Sequence, residues 1–139
     1  MHLTSAQALS VISAAETQAS LIGVRVIVAV VDSGAHLKAF TRMDGAVLGS
    51  IDIAMKKART SVLFQANSEA VWEYCKPGAP APALELTNDG LAPFGGGVPL
   101  RNTDGEFLGA VGVSGGAVAQ DMEIAQIAAA AFTTGSIRS

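Results

Sequence analysis

Residues 95–118 constrain the fold more than any other stretch. They run Gly95-Gly96-Gly97-Val98-Pro99-Leu100-Arg101, then Asn102-Thr103-Asp104-Gly105, then Glu106-Phe107-Leu108-Gly109-Ala110-Val111-Gly112-Val113. The tract closes on Ser114-Gly115-Gly116 just before Val118. Asp-Gly between two apolar runs is a strong hairpin signal. The tract therefore predicts antiparallel strands over 98–101 and 106–113, and a glycine corner that opens a helix over 118–132. Ile124, Ile127, Ala128 and Ala131 share one face of that helix.

The N-terminal half repeats the theme. Thr4 and Gln7 form a T-x-x-Q capping box, and Ala8, Val11, Ile12, Ala15, Ala19 and Ile22 recur at helical spacing until Gly23 stops them. The β-branched run 24–31, the turn Asp32-Ser33-Gly34-Ala35 and the strand 37–42 predict a second hairpin. A helix over about 48–64 follows, its stripe Leu48, Ile51, Ala54, Met55, Ala58 and Val62, with Asp52, Lys56 and Arg59 on the wetter side. Asn67 or Ser68 caps a short helix through Cys75. Pro77, Gly78, Pro80 and Pro82 make 76–89 a loop with at most one helical turn. A short strand over 91–94 is expected, and the tail 133–139 is expected to fray. Two hairpins separated by helices give an α+β domain with a sheet of about five antiparallel strands and helices on its faces. All 139 residues form one domain.

Composition narrows the classes. Half of the residues are apolar, only 15% are charged, and the formal charge is −3. That excludes a basic nucleic-acid footprint and implies that part of the apolar excess lies at a subunit interface. No apolar run reaches membrane-spanning length, and the first twenty residues lack the layout of a signal peptide. The expected compartment is the cytoplasm. A single cysteine, Cys75, forms no internal disulfide.

Several residues bear on chemistry. Gly112-Val113-Ser114-Gly115-Gly116 matches G-x-S-x-G at a strand-to-helix corner, the setting of a nucleophile elbow. That mechanism needs a histidine downstream of the serine, and His2 and His36 both lie far upstream. The corner instead offers backbone N–H groups to an anion at a helix N-terminus, and Gly95–Gly97 add a second bare stretch of backbone. His36, beside a turn, is the candidate metal ligand. Lys57 lies at the border of the apolar stripe, where it either snorkels to water or faces a pocket. Arg42 and Asp44 suit a surface ion pair. Trp72 and Tyr74 read as packing residues under the proline-rich loop or at an interface.

Taken together, Val30-Val31-Asp32-Ser33-Gly34-Ala35-His36-Leu37, Arg42-Met43-Asp44-Gly45-Ala46, Lys57-Ala58-Arg59-Thr60, Phe94–Arg101 and Gly109–Gly116 with Gln120-Asp121 resemble the haem-binding, haem-degrading-type family. That family includes GlcG, HbpS and the C-terminal domain of PduO. The resemblance runs from Thr4 to Phe132 and implies a profilin-like α/β/α sandwich around a five-stranded antiparallel sheet. It further implies a homo-oligomer that binds haem or a related tetrapyrrole. The N-terminal helix here lacks the histidine implicated in ligating haem in the PduO-type domain. Under the resemblance His36 becomes the iron-side ligand, Arg42 and Lys57 meet propionates, and Gly95, Gly96, Gly97, Ser114, Gly115 and Gly116 line the pocket. Two other roles stay open: an enzyme for a small carboxylate or phosphate held at the glycine corner, with Lys57 or Asp121 as acid or base, and a scaffold without catalysis.

Overall fold

The computed structural model describes residues 2–135. Met1 and residues 136–139, which hold most of the tail expected to fray, lie outside the described residues. Helix α1 covers Ser5–Ile22. The Thr4 hydroxyl accepts from the Gln7 N–H at 3.0 Å, and the Thr4 N–H donates to Gln7 Oε1 at 3.0 Å, so the capping box forms. Strands β1 (Ile27–Asp32) and β2 (Leu37–Arg42) make the first hairpin. Helices α2 (Ser50–Phe64) and α3 (Ser68–Cys75) follow. The proline-rich loop contributes one 3₁₀ turn, Leu84–Leu86. Strands β3 (Gly97–Arg101) and β4 (Phe107–Ser114) form the second hairpin, and α4 spans Val118–Thr133.

The sheet is antiparallel in the order β2-β1-β4-β3. It has four strands, not five: 91–94 does not pair as a strand. The backbone groups of that segment are spent elsewhere. The Leu91 N–H donates to the Glu85 carbonyl, the Ala92 N–H to Thr60 Oγ1, Pro93 has no N–H, and the Phe94 carbonyl accepts from Ser68 Oγ. The segment is laced to α2 and α3, and the N–H groups of Leu91 and Ala92 are spent away from any ladder.

Three layers follow from the pleat. Val28 and Val30 of β1, Leu100 of β3, and Val111 and Val113 of β4 face α1 and α4, whose Val11, Ala15, Ile124 and Ala128 complete the larger core. Ile27, Ala29, Val31 and Ala110 face α2, where Ala54, Ala58 and Val62 meet them. The approach of α2 is very close. A Cβ at Gly112 would fall 2.1 Å from the Ala54 carbonyl oxygen, so only glycine admits the helix at this height.

The close approach corrects the expected stripe of α2. Leu48 precedes the helix and is exposed, while Lys57, Thr60 and Ser61 are buried beside Ala54, Ala58 and Val62. The helix is enclosed on two sides, by the sheet and by the loop and helices around residues 68 and 94–97. On the α2 side, β2 is left as an uncovered wing, because α2 packs chiefly over β4, β1 and β3.

Candidate functional site

Lys57 does not snorkel. Its side chain is 1% exposed and its partner Asp121 is 4% exposed, at an Nζ–Oδ2 distance of 3.1 Å. The ammonium also donates to the Val113 carbonyl at 2.9 Å and lies 5.1 Å from the centroid of the Phe94 ring. Two acceptors and one aromatic face thus surround it. Burial holds the Lys57 ammonium below the usual lysine range, against the opposing pull of Asp121. Burial likewise raises the Asp121 carboxyl above its usual range, against the opposing effects of Lys57 and the Gly116 N–H.

Backbone geometry shapes this cell. Gly96 has φ +132°, and a Cβ there would stand 2.5 Å from the Val113 carbonyl oxygen and 2.7 Å from Lys57 Nζ. The Gly96 carbonyl accepts from the Val113 N–H at 2.9 Å, extending the β3–β4 pairing past Gly97. Ser68 clasps the loop: its hydroxyl donates to the Phe94 carbonyl at 2.6 Å and accepts from the Gly97 N–H at 2.8 Å.

The glycine corner is already satisfied. The Gly116 N–H donates to Asp121 Oδ1 at 2.9 Å, Gly115 turns its own N–H to the same carboxylate, and the Ala117 N–H donates to Gln120 Oε1 at 2.9 Å. The anion at this helix N-terminus is the chain's own Asp121. A small carboxylate or phosphate held there would have to displace it, so the corner as built gives no free subsite for such a metabolite. Ser114 is no nucleophile either. Its buried hydroxyl donates to Ser50 Oγ at 3.0 Å, and His36 stands at the other end of the strands, since Asp32 pairs with Gly109 whereas Ile27 pairs with Ser114.

The structure therefore divides the candidate residues into two groups. Lys57, Gly95, Gly96, Gly97, Ser114, Gly115 and Gly116 gather around the Lys57–Asp121 pair. His36 and Arg42 lie apart from them, at opposite ends of β2 on the sheet edge, both exposed. The His36 imidazole is 85% exposed, with Nδ1 3.8 Å from Asp32 Oδ1. Between them Leu37 and Phe40 are also exposed. Lys57, sealed beside Asp121, presents no ammonium to a propionate held by Arg42.

One feature escaped the sequence reading. Trp72, Pro93, Phe94, Gly95, Val118 and Met122, with Glu69 and Glu73, line a largely apolar hollow of about 520 Å³ outside the Phe94 ring. Trp72 and Tyr74 are exposed, not covered by the proline-rich loop. Glu69 Oε1 is buried without a hydrogen-bond partner. No spacing in the sequence signals the hollow, because its lining comes from three separate segments, around residues 69–73, 93–95 and 118–122.

These features define a small three-layer α+β domain with a sealed lysine–aspartate pair and an open, apolar sheet edge. The family model of haem degrading protein HbpS-like matches residues 3–130, and the chain belongs to that family. A 15.0 kDa protein of the dhaT-dhaS intergenic region of Citrobacter freundii is 38% identical over 132 residues, covering 94% of this chain and 92% of that one. The corrinoid adenosyltransferase PduO of Salmonella typhimurium is 39% identical over 124 residues, 88% of this chain but only 37% of PduO. Among solved structures, a PduOC:haem complex superposes with a TM-score of 0.87 at 36% identity, covering 94% of this chain and 95% of that one. No helix among the described residues is long and apolar enough to cross a membrane.

Proposed function

We propose that this protein binds haem or a related tetrapyrrole, and that it does so as a homo-oligomer. The observation that carries the reading is the likeness, over nearly the whole length of both chains, to a domain solved with haem. The residues of the β2 wing fit such a ligand. A tetrapyrrole is a flat apolar disc with an iron at its centre and carboxylates at one rim. Leu37 and Phe40 give exposed apolar surface, His36 at one end gives an imidazole of the kind that holds haem iron, and Arg42 at the other gives a guanidinium suited to a propionate. The Asp32 carboxylate lies 3.8 Å from Nδ1, and the imidazole is open to solvent. Self-association would cover the rest of the wing, where Val47 and Leu48 add exposed apolar area.

The test is titration of the purified protein with hemin. A saturable Soret shift is expected, lost in His36→Ala and weakened in Arg42→Ala. No shift, or a shift indifferent to His36→Ala, refutes the assignment.

A further inference from the structure

The Lys57–Asp121 cell has no part in a haem site on β2, and its construction is more than packing requires. A buried ion pair is commonly no better for stability than apolar residues of the same volume. Here the surrounding backbone is shaped around the ammonium, with Gly96 unable to carry a Cβ without striking Nζ. On its outer side the cell is closed by one aromatic ring, Phe94, which is 39% exposed and precedes Gly95 and Gly96. Directly outside that ring lies the hollow of Trp72, Pro93 and Met122. The Phe94 ring, on a backbone fixed by Pro93 before it and by the Ser68 bond to its carbonyl, thus stands between a lysine amine and an apolar vestibule.

We infer that Lys57 is a latent amine nucleophile for a small neutral aldehyde, admitted from the Trp72–Met122 hollow when the Phe94 ring swings aside. The pair supplies the proton inventory. Asp121 takes a proton from the ammonium, leaving Lys57 Nζ with a free electron pair. That pair attacks the carbonyl carbon, forming a C–N bond, while the C=O π electrons move to oxygen. Asp121 returns its proton to that oxygen and then takes one of the two protons from the positively charged nitrogen, giving a neutral carbinolamine. Asp121 passes that proton to the departing hydroxyl, which leaves as water as the nitrogen lone pair forms the C=N bond. Ammonium and aldehyde thus yield a protonated imine and water, Asp121 ends as the carboxylate it began as, and no oxidation state changes. The lowered basicity of Lys57 and raised basicity of Asp121 favour the first transfer. The acidic residues Glu69 and Glu73 at the hollow select against an anionic aldehyde. Glu69 Oε1 is buried and unpartnered at that hollow, an acceptor for a polar group entering it.

Reductive trapping tests this independently of haem. Wild type, Phe94→Ala and Phe94→Leu are incubated with acetaldehyde or glyoxylate and cyanoborohydride, and adducts are located by peptide mass spectrometry. Lys57 should be labelled in wild type, about tenfold faster when the Phe94 ring is removed. In both variants it should be labelled faster than the outward-facing Lys38 and Lys76, with acetaldehyde preferred over glyoxylate. Lys57 labelled no faster than Lys38 and Lys76 in both Phe94 variants overturns the inference, as does a Lys57 adduct rate indifferent to Phe94.

Discussion

Lys57 and Asp121 are bound by more than their mutual charge. Lys57 holds the Val113 carbonyl, and Asp121 holds the Gly116 N–H at the start of α4. Removing one partner therefore strands the other in a dry cell. Lys57→Met is expected to lose about 3–5 kcal/mol in denaturant unfolding. Adding Asp121→Asn should return part of that loss, a non-additivity that a double-mutant cycle reads. A cycle with no coupling energy would contradict the pair. The pH dependence has a definite sign. With the Lys57 pKa lowered in the fold below 10.5, the unfolded chain carries more protons on this lysine than the folded one. Its contribution is then present above 10.5 and is lost as pH falls through the folded pKa. The melting-temperature gap between wild type and Lys57→Met should widen as pH rises towards 10.5, and a gap that narrows would reverse the argument. Little of this cell was legible in the sequence. A lysine at the border of a stripe reads equally as a snorkel, and its burial depends on Gly96 and Phe94, about forty residues away. That placement is set by tertiary packing, which helical periodicity does not carry.

The elements were legible where local chemistry decides them. Thr4 with Gln7, the β-branched run of β1 and the Asp104-Gly105 turn each carry their own structural reason. The predicted ends fall within one residue of the observed ones, except the start of β1, expected at 24 and found at Ile27, and that of α2, expected at about 48 and found at Ser50. The expected strand over 91–94 failed because its partners are side chains on distant helices. Those side chains now give the sharpest tests at this scale. Thr60 is fully buried and its hydroxyl is what the Ala92 N–H donates to, so Thr60→Val, similar in shape, should cost about 1–3 kcal/mol by stranding that donor. Ser68→Ala removes both bonds of the clasp on the loop and should cost a similar amount, with faster amide exchange at Gly97. Thr4→Ala is expected to cost only about 1 kcal/mol, since it loses a solvent-exposed cap. If Thr4→Ala proved the most damaging of the three, the loop would not be held by Thr60 and Ser68.

At the scale of the molecule, the two faces of the sheet are unequally covered. α1 and α4 close one face, but α2 leaves the β2 wing bare on the other, and β2 is an edge strand with unpaired backbone groups. The cross-strand partner of Phe40 is Ala29, which faces α2, so the Phe40 ring stands on the uncovered side. Leu37 and Phe40 on the strand, with Val47 and Leu48 in the segment after it, are exposed large apolar residues. A monomer would leave this surface wet. Self-association through the wing predicts a sedimentation mass of at least two chains, reduced to one by Phe40→Asp with Leu48→Asp. Because a folded protomer and its assembly are linked by mass action, the melting temperature of wild type should rise with protein concentration, and that of the double variant should not. If haem shares the wing, hemin affinity should fall in the same variant, as Phe40 is lost from the surface between His36 and Arg42. A double variant that keeps both its mass and its hemin affinity would move both interfaces away from β2.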